Sequence, residues 1–583
     1  MICIDFETYA IHSGAYPPEP VGVAIWEQGR AEYLGWGHPC ENNASRSFAY
    51  DRLAKFWGGS GSLLFHNAAF DLAVARLPWP SWDRIEDTQI LAFLADPERS
   101  TTALKSLAED LLGEKPTERD DLRDWILEHV DGATRKTWGA YIAHAPGSLV
   151  ARYAVGDVKR TMGLYRYFRQ TRKSLLEAYN RERRMLGVAE GARERGVPVV
   201  RQALGAFVDG SVDESRRLER FLLRRLQAPS SLDLGSRSDL ADALEKRGLV
   251  KKWERTLKTQ ERKTAIDSLR RTCSDQKLVD GLHQLSLRKT LTDTAETWLA
   301  LSAADRRVHP IWNLTRRVDE ARWREAGART GRMSSTPNLQ NVPKAPEYPG
   351  LPNPREWIGG SGLVAADYSQ QEFRILAHYE NGALARLYRE DPDLDIHGRV
   401  RDLVNARAGV PYSRDALKST GFGILYGRGA AAVGAALGLR VEEAAMLRSD
   451  YYAALPGIRS VQQWLRKLAA RGEPFDTWGG RRYYCEAPQV VDGRDGPEVT
   501  RSFEYKMLNT LIQGSAADHL KESAIALFDA GFPPILFVHD ELVVATKRKT
   551  DARRIREVLE SVGTWRVPMR AGAKWGKTWA DAK

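Results

Sequence analysis

The sequence predicts an α/β domain at the N-terminus, a run of long basic helices, and an α+β body at the C-terminus. Three observations lead there. Over residues 1–174, short β-like runs (ICIDF, VGVAIW, SLLFH) alternate with helical stretches such as ILAFLADPERSTTALKSLAEDLLG, the pattern of strands covered by helices. From 175 to 330 the chain turns into Arg/Lys-rich amphipathic segments such as VDGLHQLSLRKTLTDTAETWLAL. From 331 to 583 strand-like runs return (GLVAADY, PPILFVHDELVVAT), with helical stretches between them.

At 583 residues the chain is long enough to bury several cores. No apolar run approaches the roughly 20 residues of a membrane helix. The opening MICIDFET lacks the basic and apolar regions of a secretory leader, so a soluble cytoplasmic protein with no membrane partner is expected. Cys3, Cys40, Cys273 and Cys485 lie far apart with no CxxC pair, which argues against a disulfide framework or a structural zinc site. A net charge of +11 is compatible with a polyanionic partner, although a solvated basic surface gives the same sum.

In Ile2-Cys3-Ile4-Asp5-Phe6-Glu7, alternation on a strand puts Asp5 and Glu7 on one face, where paired carboxylates offer hard oxygen ligands to divalent cations. A lone DxE is common on surfaces. Two later segments add to it: Asn67 and Asp71 in FHNAAFDLAVAR, and Tyr153 and Asp157 in YAVGDVKR, are each four apart and share a face if helical.

Three segments carry the C-terminal half. In GLVAADYSQQEFRILAHYE an apolar strand ends at Asp367, which leaves the carboxylate free to reach solvent or metal. In RDALKSTGFGILYG, Arg414, Lys418, Phe422 and Tyr426 fall at successive four-residue steps, two cations and then two aromatics on one helical stripe. That order suits a nucleoside triphosphate. Gly421 and Gly423 each cost a helix roughly 1 kcal/mol relative to Ala, which points to close backbone approach or a hinge. PPILFVHDELVVAT reads as a hairpin with His539-Asp540-Glu541 at its tip.

Taken in order, DxE, N-x-x-x-D and Y-x-x-x-D resemble the exonuclease motifs of proofreading domains. The three C-terminal segments resemble motifs A, B and C of family A DNA polymerases. TGRMSSTPNLQNVP and NTLIQGSAADHLK resemble family segments that line the primer-template. The likeness implies an RNase H-like 3′-5′ exonuclease at 1–174, a thumb with connecting helices at 175–330, and a palm at 331–583 with fingers inserted at about 380–490.

It implies that Asp5, Glu7, Asp71 and Asp157 hold two Mg²⁺ ions, with Tyr153 orienting the attacking water. Asp367 and Asp540 would hold two more, with Glu541 accessory and Mn²⁺ a substitute. Arg414, Lys418 and His397 would contact the triphosphate, and Phe422 and Tyr426 its sugar and base. Glu372 would exclude the ribose 2′-hydroxyl, and a Phe at 422 implies poor use of dideoxynucleotides. Arg332, Gln513 and His539 would meet the primer terminus and minor groove, while Asn338, Gln340, Asn341 and Asn509 would meet the duplex.

The implied partners are primer-template DNA and dNTPs, alongside a helicase, primase or processivity factor; a monomer is expected. Three positions depart from the family pattern: STPNLQN is one residue short, Gln371 replaces an aliphatic, and Tyr505 stands where relatives carry an Arg. The chain begins almost at the first exonuclease motif, a plan that resembles phage replicases more than repair enzymes. A single-subunit RNA polymerase is disfavoured by Glu372 and the HDE triplet, and a non-catalytic DNA-binding scaffold by Asp367, Lys418, Tyr426 and Asp540 together.

Overall fold

A computed structural model describes residues 1–11, 16–256, 259–315, 317–319, 324–326, 328–344, 348–408, 411–455, 457–485, 489–493, 496–500 and 504–583. The chain forms two compact units. The first comprises Met1–Arg195, Pro310–Gln340 and Val364–Lys574. The second comprises Gly196–His309, Asn341–Leu363 and Trp575–Lys583.

The first unit opens with a mixed five-stranded sheet, order β3-β2-β1-β4-β5, from β1 (Ile2–Thr8), β2 (Pro20–Glu27), β3 (Arg30–Gly35), β4 (Leu63–Phe65) and β5 (Ile85–Asp87). β1 pairs antiparallel with β2 and parallel with β4, which makes it central. Helices α1 (Ala68–Ala75), α2 (Thr88–Ala95), α3 (Leu104–Leu112) and α4 (Gly147–Tyr167) follow the strands. In α4, Val150, Ala154, Val158 and Met162 recur every four residues and pack with Cys3 and Leu64, so the helix lies on the face of β1 that carries Asp5 and Glu7.

α5 (Leu176–Arg195) also belongs to this unit, whereas its Arg-rich sequence had grouped it with the basic helices after 174. Its buried polar side chains explain the difference. Arg181 donates to Asp518 (2.7 Å), Arg481 bonds both Glu182 (2.6 Å) and Asp518 (3.0 Å), and Lys521 reaches Glu182 (2.6 Å). All five are buried. Each charge has an opposite partner, as burial requires.

The second unit contains α6 (Arg201–Leu226) and α7 (Gln276–Leu301), two 26-residue helices that pack through Leu222, Leu226, Leu278, Leu282 and Leu285. Ser211 and Thr292 hydroxyls meet between them at 2.5 Å, and Arg225 grips Asp275 at 2.6 and 2.8 Å.

Residues 364–574 of the first unit supply most of a four-stranded sheet, order β7-β8-β6-β9, from β6 (Gly359–Tyr368), β7 (Pro534–Val538), β8 (Glu541–Ala545) and β9 (Ala571–Thr578), of which 359–363 and 575–578 are counted with the second unit. Helices α8 (Gln371–Glu380), α9 (Ile396–Ala408), α10 (Arg414–Leu425), α11 (Gly457–Arg471) and α12 (Glu504–Asp529) contribute to one core, which includes Phe373, Ile396, Leu417, Ile424, Leu465 and Leu511. No helix among the described residues is long and apolar enough to cross a membrane.

Candidate active sites

The N-terminal acids meet as the alternation of β1 requires. Carboxylate oxygens of Asp5, Glu7 and Asp157 lie within 4.8 Å of one another. Asp71 accepts from the Phe6 amide at 2.9 Å, so it is pinned to the same strand beyond the short stretch where β1 pairs with β4. Asn67 does not share a helical face with Asp71. It precedes α1 with φ of 76°, and the Asp87 carboxylate accepts the amides of Ala68 (2.7 Å) and Asn67 (3.3 Å) while also capping α2. Asp87 is thus what holds the start of α1, and the sequence reading missed it.

Burial and crowding disfavour the charge of Asp5, Glu7 and Asp71. Burial, then Asp157, pushes Asp5 up to about 8. Glu7 and Asp71 are raised too, first by burial and then by Asp5. Lys105, at the start of α3, is 2.5 Å from Asp157 and 3.8 Å from the centre of the Tyr153 ring. Burial opposes its charge, but Asp157 and Tyr153 outweigh that and raise its pKa. Nothing in LKSLAEDLL marks Lys105 beforehand. Asp157 Oδ1 is buried with no hydrogen-bond donor, and Arg160 stands 3.6 Å away. Three hard oxygen donors, an orphaned acceptor and suppressed ionisation fit a divalent cation.

The three C-terminal segments converge around Asp367. It ends β6 half-buried, and the next amide, Tyr368 N–H, donates to the Asp540 carbonyl at 3.1 Å. The tip of the β7–β8 hairpin therefore sits beside the end of β6. His539 takes φ of 56° to make the two-residue turn, and both His539 and Asp540 are exposed while Glu541 is buried. β9 runs on the other side of β6, where a Cβ at Gly572 would stand 3.2 Å from Asp367 Oδ1. Glycine keeps the carboxylate uncrowded, which fits a metal-binding role.

Four residues after Asp367, α8 begins, and Glu372 in its first turn is held from two sides. Arg332 donates to Glu372 Oε1 at 2.8 Å and Tyr426 Oη donates to Oε2. Burial and the Glu372 charge raise the Tyr426 hydroxyl pKa. The expected stripe on α10 is present with one change: the helix ends at Leu425, and Tyr426 is its C-cap residue. Phe422 lies 6.2 Å from Tyr426 with planes 22° apart, and packs on Phe373 at 5.2 Å. A Cβ at Gly421 would stand 2.4 Å from Tyr451 Oη, so this glycine serves close approach.

Lys418 is exposed. Arg414 makes two 2.9 Å bonds to Asp395, which hold that carboxyl down at about 2. His397, 5.1 Å from Phe373, is buried; desolvation, then Lys418 and Arg414, lowers it to about 4.

Several predicted duplex contacts are engaged locally. Asn338 accepts the Gln340 amide at 3.0 Å, and Gln340 Nε2 donates to the Phe537 carbonyl at 2.8 Å. Asn509 and Gln513 are half-buried on α12, and Asn509 Oδ1 is enclosed without a donor. Asn341 lies in the second unit. Gln371 is buried against His519 Nδ1 at 3.1 Å; the side chain of Tyr505 lies outside the described residues.

The sequence pattern of DNA polymerase family A matches residues 213–581, the stretch that holds Asp367, Glu372, α10 and Asp540. The chain belongs to this family. DNA polymerase I of Bacillus caldotenax is 32% identical over 345 residues, 55% of this chain and 37% of that protein. The thermostable DNA polymerase I of Thermus filiformis is 31% identical over 492 residues, 80% of this chain and 55% of that protein. The chain thus spans about half the length, or less, of these curated relatives. The POL domain of Pol1 from M. smegmatis, solved with DNA primer-template and dNTP, superposes with a TM-score of 0.77 at 22% identity. That superposition covers 100% of this chain and 95% of that one, so the two share a fold.

Proposed function

We propose that this family A member is a DNA-templated DNA polymerase that extends a primer with dNTPs, and that residues 1–174 carry an RNase H-like 3′-5′ proofreading exonuclease. The observation that supports synthesis most strongly is the meeting of three separated segments: Asp367 beside the Asp540 hairpin, and Glu372, five residues on, bonded to Tyr426 at the end of α10. For degradation, support comes from the carboxylate cluster on β1 and α4.

Asp367 and Asp540, and Asp5, Glu7, Asp71 and Asp157, would hold divalent ions such as Mg²⁺, which when bound would neutralise charge at the phosphate. The chain's own residues do the rest. Lys418 and Arg414 bind the triphosphate, Arg414 exchanging Asp395 for phosphate oxygens of the same bidentate geometry. Phe422 and Tyr426 form a platform for sugar and base. Glu372, fixed by Arg332 and Tyr426, stands as a barrier to a 2′-hydroxyl. In the first cluster Lys105 fixes Tyr153 and Asp157 next to the water that attacks.

A labelled primer-template with Mg²⁺ tests both activities. With all four dNTPs the primer lengthens in template order; without them its 3′ end shortens. If neither change occurs, the proposal fails. If only one occurs, the other half falls.

A further inference from the structure

Along α8 and α11, five aromatic side chains from four segments form a continuous row that neither acid cluster uses. Trp464 on α11 is 41% exposed, with its ring 20° from the plane of Tyr379 and 6.4 Å from its centre. Tyr379 meets His378 edge-on at 5.3 Å, and His378 meets Trp565 at 5.1 Å. Trp565 stacks on Trp478 at 4.5 Å and 11°, and Trp478 is tethered through Nε1 to the Thr564 carbonyl at 3.3 Å. Apart from exposed Trp464, each member is half-buried, so the row reaches the surface along its length.

Its surroundings are cationic. α11 carries Arg459, Arg466, Lys467 and Arg471 and no acidic residue. In the middle of the row Arg566 donates to the His378 carbonyl at 3.3 Å. Among the described residues no carboxylate pairs with Arg466, Lys467 or Arg566. The nearby Glu380 carboxylate is taken up by the amides of Gly382, Ala383 and Ala385. Desolvation, then Arg566, lowers His378 to about 4, so at neutral pH it adds a ring and no charge.

A hydrophobic satellite cluster has no need of an exposed tryptophan between unpaired cations. An exposed ring face for a base at Trp464, backed by further aromatics and flanked by cations for the backbone, is what unpaired nucleic acid requires. We infer that this aromatic row binds single-stranded DNA. The ligand follows from the polymerase reading, since a template is single-stranded beyond the primer; the binding itself needs no catalysis.

Fluorescence anisotropy in EDTA, with labelled dT20 and a blunt hairpin duplex as probes, tests the inference. Trp464→Ala weakens dT20 binding about tenfold, Trp464→Phe restores most of it, and Arg466→Gln with Lys467→Gln weakens binding and flattens its salt dependence. Hairpin affinity stays within about twofold throughout. The inference is overturned if Trp464→Ala binds dT20 like wild type, or loses dT20 and hairpin equally. Failure of wild type to extend a primer would sink the polymerase reading alone, leaving the dT20 result to stand or fall by itself.

Discussion

In the N-terminal cluster, acids from β1, α1 and α4 crowd one largely buried face with Lys105 and Arg160 beside Asp157, whereas Asp367 and Asp540 stand near a strand end and at a hairpin tip, half-buried and exposed. The crowded set gets its geometry from packing: the stripe Val150-Ala154-Val158-Met162 forces Asp157 against β1. The open set gets its geometry from backbone pairing, through the Tyr368–Asp540 bond and the turn at His539. Packing brings more ligands together, but it removes the water that would stabilise their charge. Pairing leaves the carboxylates open to solvent.

Substitutions should separate the two designs. The largest effect is expected from Asp540→Ala, with extension falling about a thousandfold in single-turnover assays while degradation of a single-stranded 3′ end is unchanged. Equal loss of both would mean that the two acid sets do not act independently. Asp5→Ala with Glu7→Ala should do the reverse, lowering degradation about a hundredfold and sparing extension. Persistent Mg²⁺-dependent degradation by that variant would remove the cluster from the chemistry.

On the open side, Glu372→Ala should raise ribonucleotide use relative to deoxynucleotide use about tenfold to hundredfold, read from mixed-pool primer extension. An unchanged ratio would show that Arg332 and Tyr426 hold Glu372 for another purpose. The smallest effect concerns stability. Asp5 binds its proton more tightly in the folded chain than at its ordinary value of 3.8, so its contribution is complete below about pH 4 and is lost as pH rises through about 8. In EDTA, the melting temperature should therefore drop by about 2–4 °C between pH 5 and 8, less so in Asp5→Asn, and Mg²⁺ should restore it. A flat profile in EDTA would show that the crowding carries no such cost.

Strand alternation and four-residue helical spacing are local, so Asp5 with Glu7, Tyr153 with Asp157, and the Arg414-to-Phe422 stripe were legible from sequence. So was the hairpin, because two β runs flank a short polar tip. Partners set by tertiary contact were not. Lys105 reaches Asp157 across 52 positions, and Arg332 reaches Glu372 across 40. Asn67 was misread because its helical spacing to Asp71 hid the left-handed residue that starts α1. The burial of the α5 arginines was not legible, because buried and solvated arginines look alike in a sequence. Only the facing Asp518 and the shared Glu182 distinguish them.

That buried ionic group also bears on inheritance. A fragment beginning after Arg195 would leave Arg481 and Lys521 sharing the single carboxylate of Asp518, with Glu182 gone. Swapping the first 195 residues for those of a distant relative would raise the same difficulty unless the donor supplied matching charges. The segments on either side of this ionic group are therefore poor candidates for modular exchange, and chimaeras that cross this seam should be rescued by transplanting α5 and α12 together.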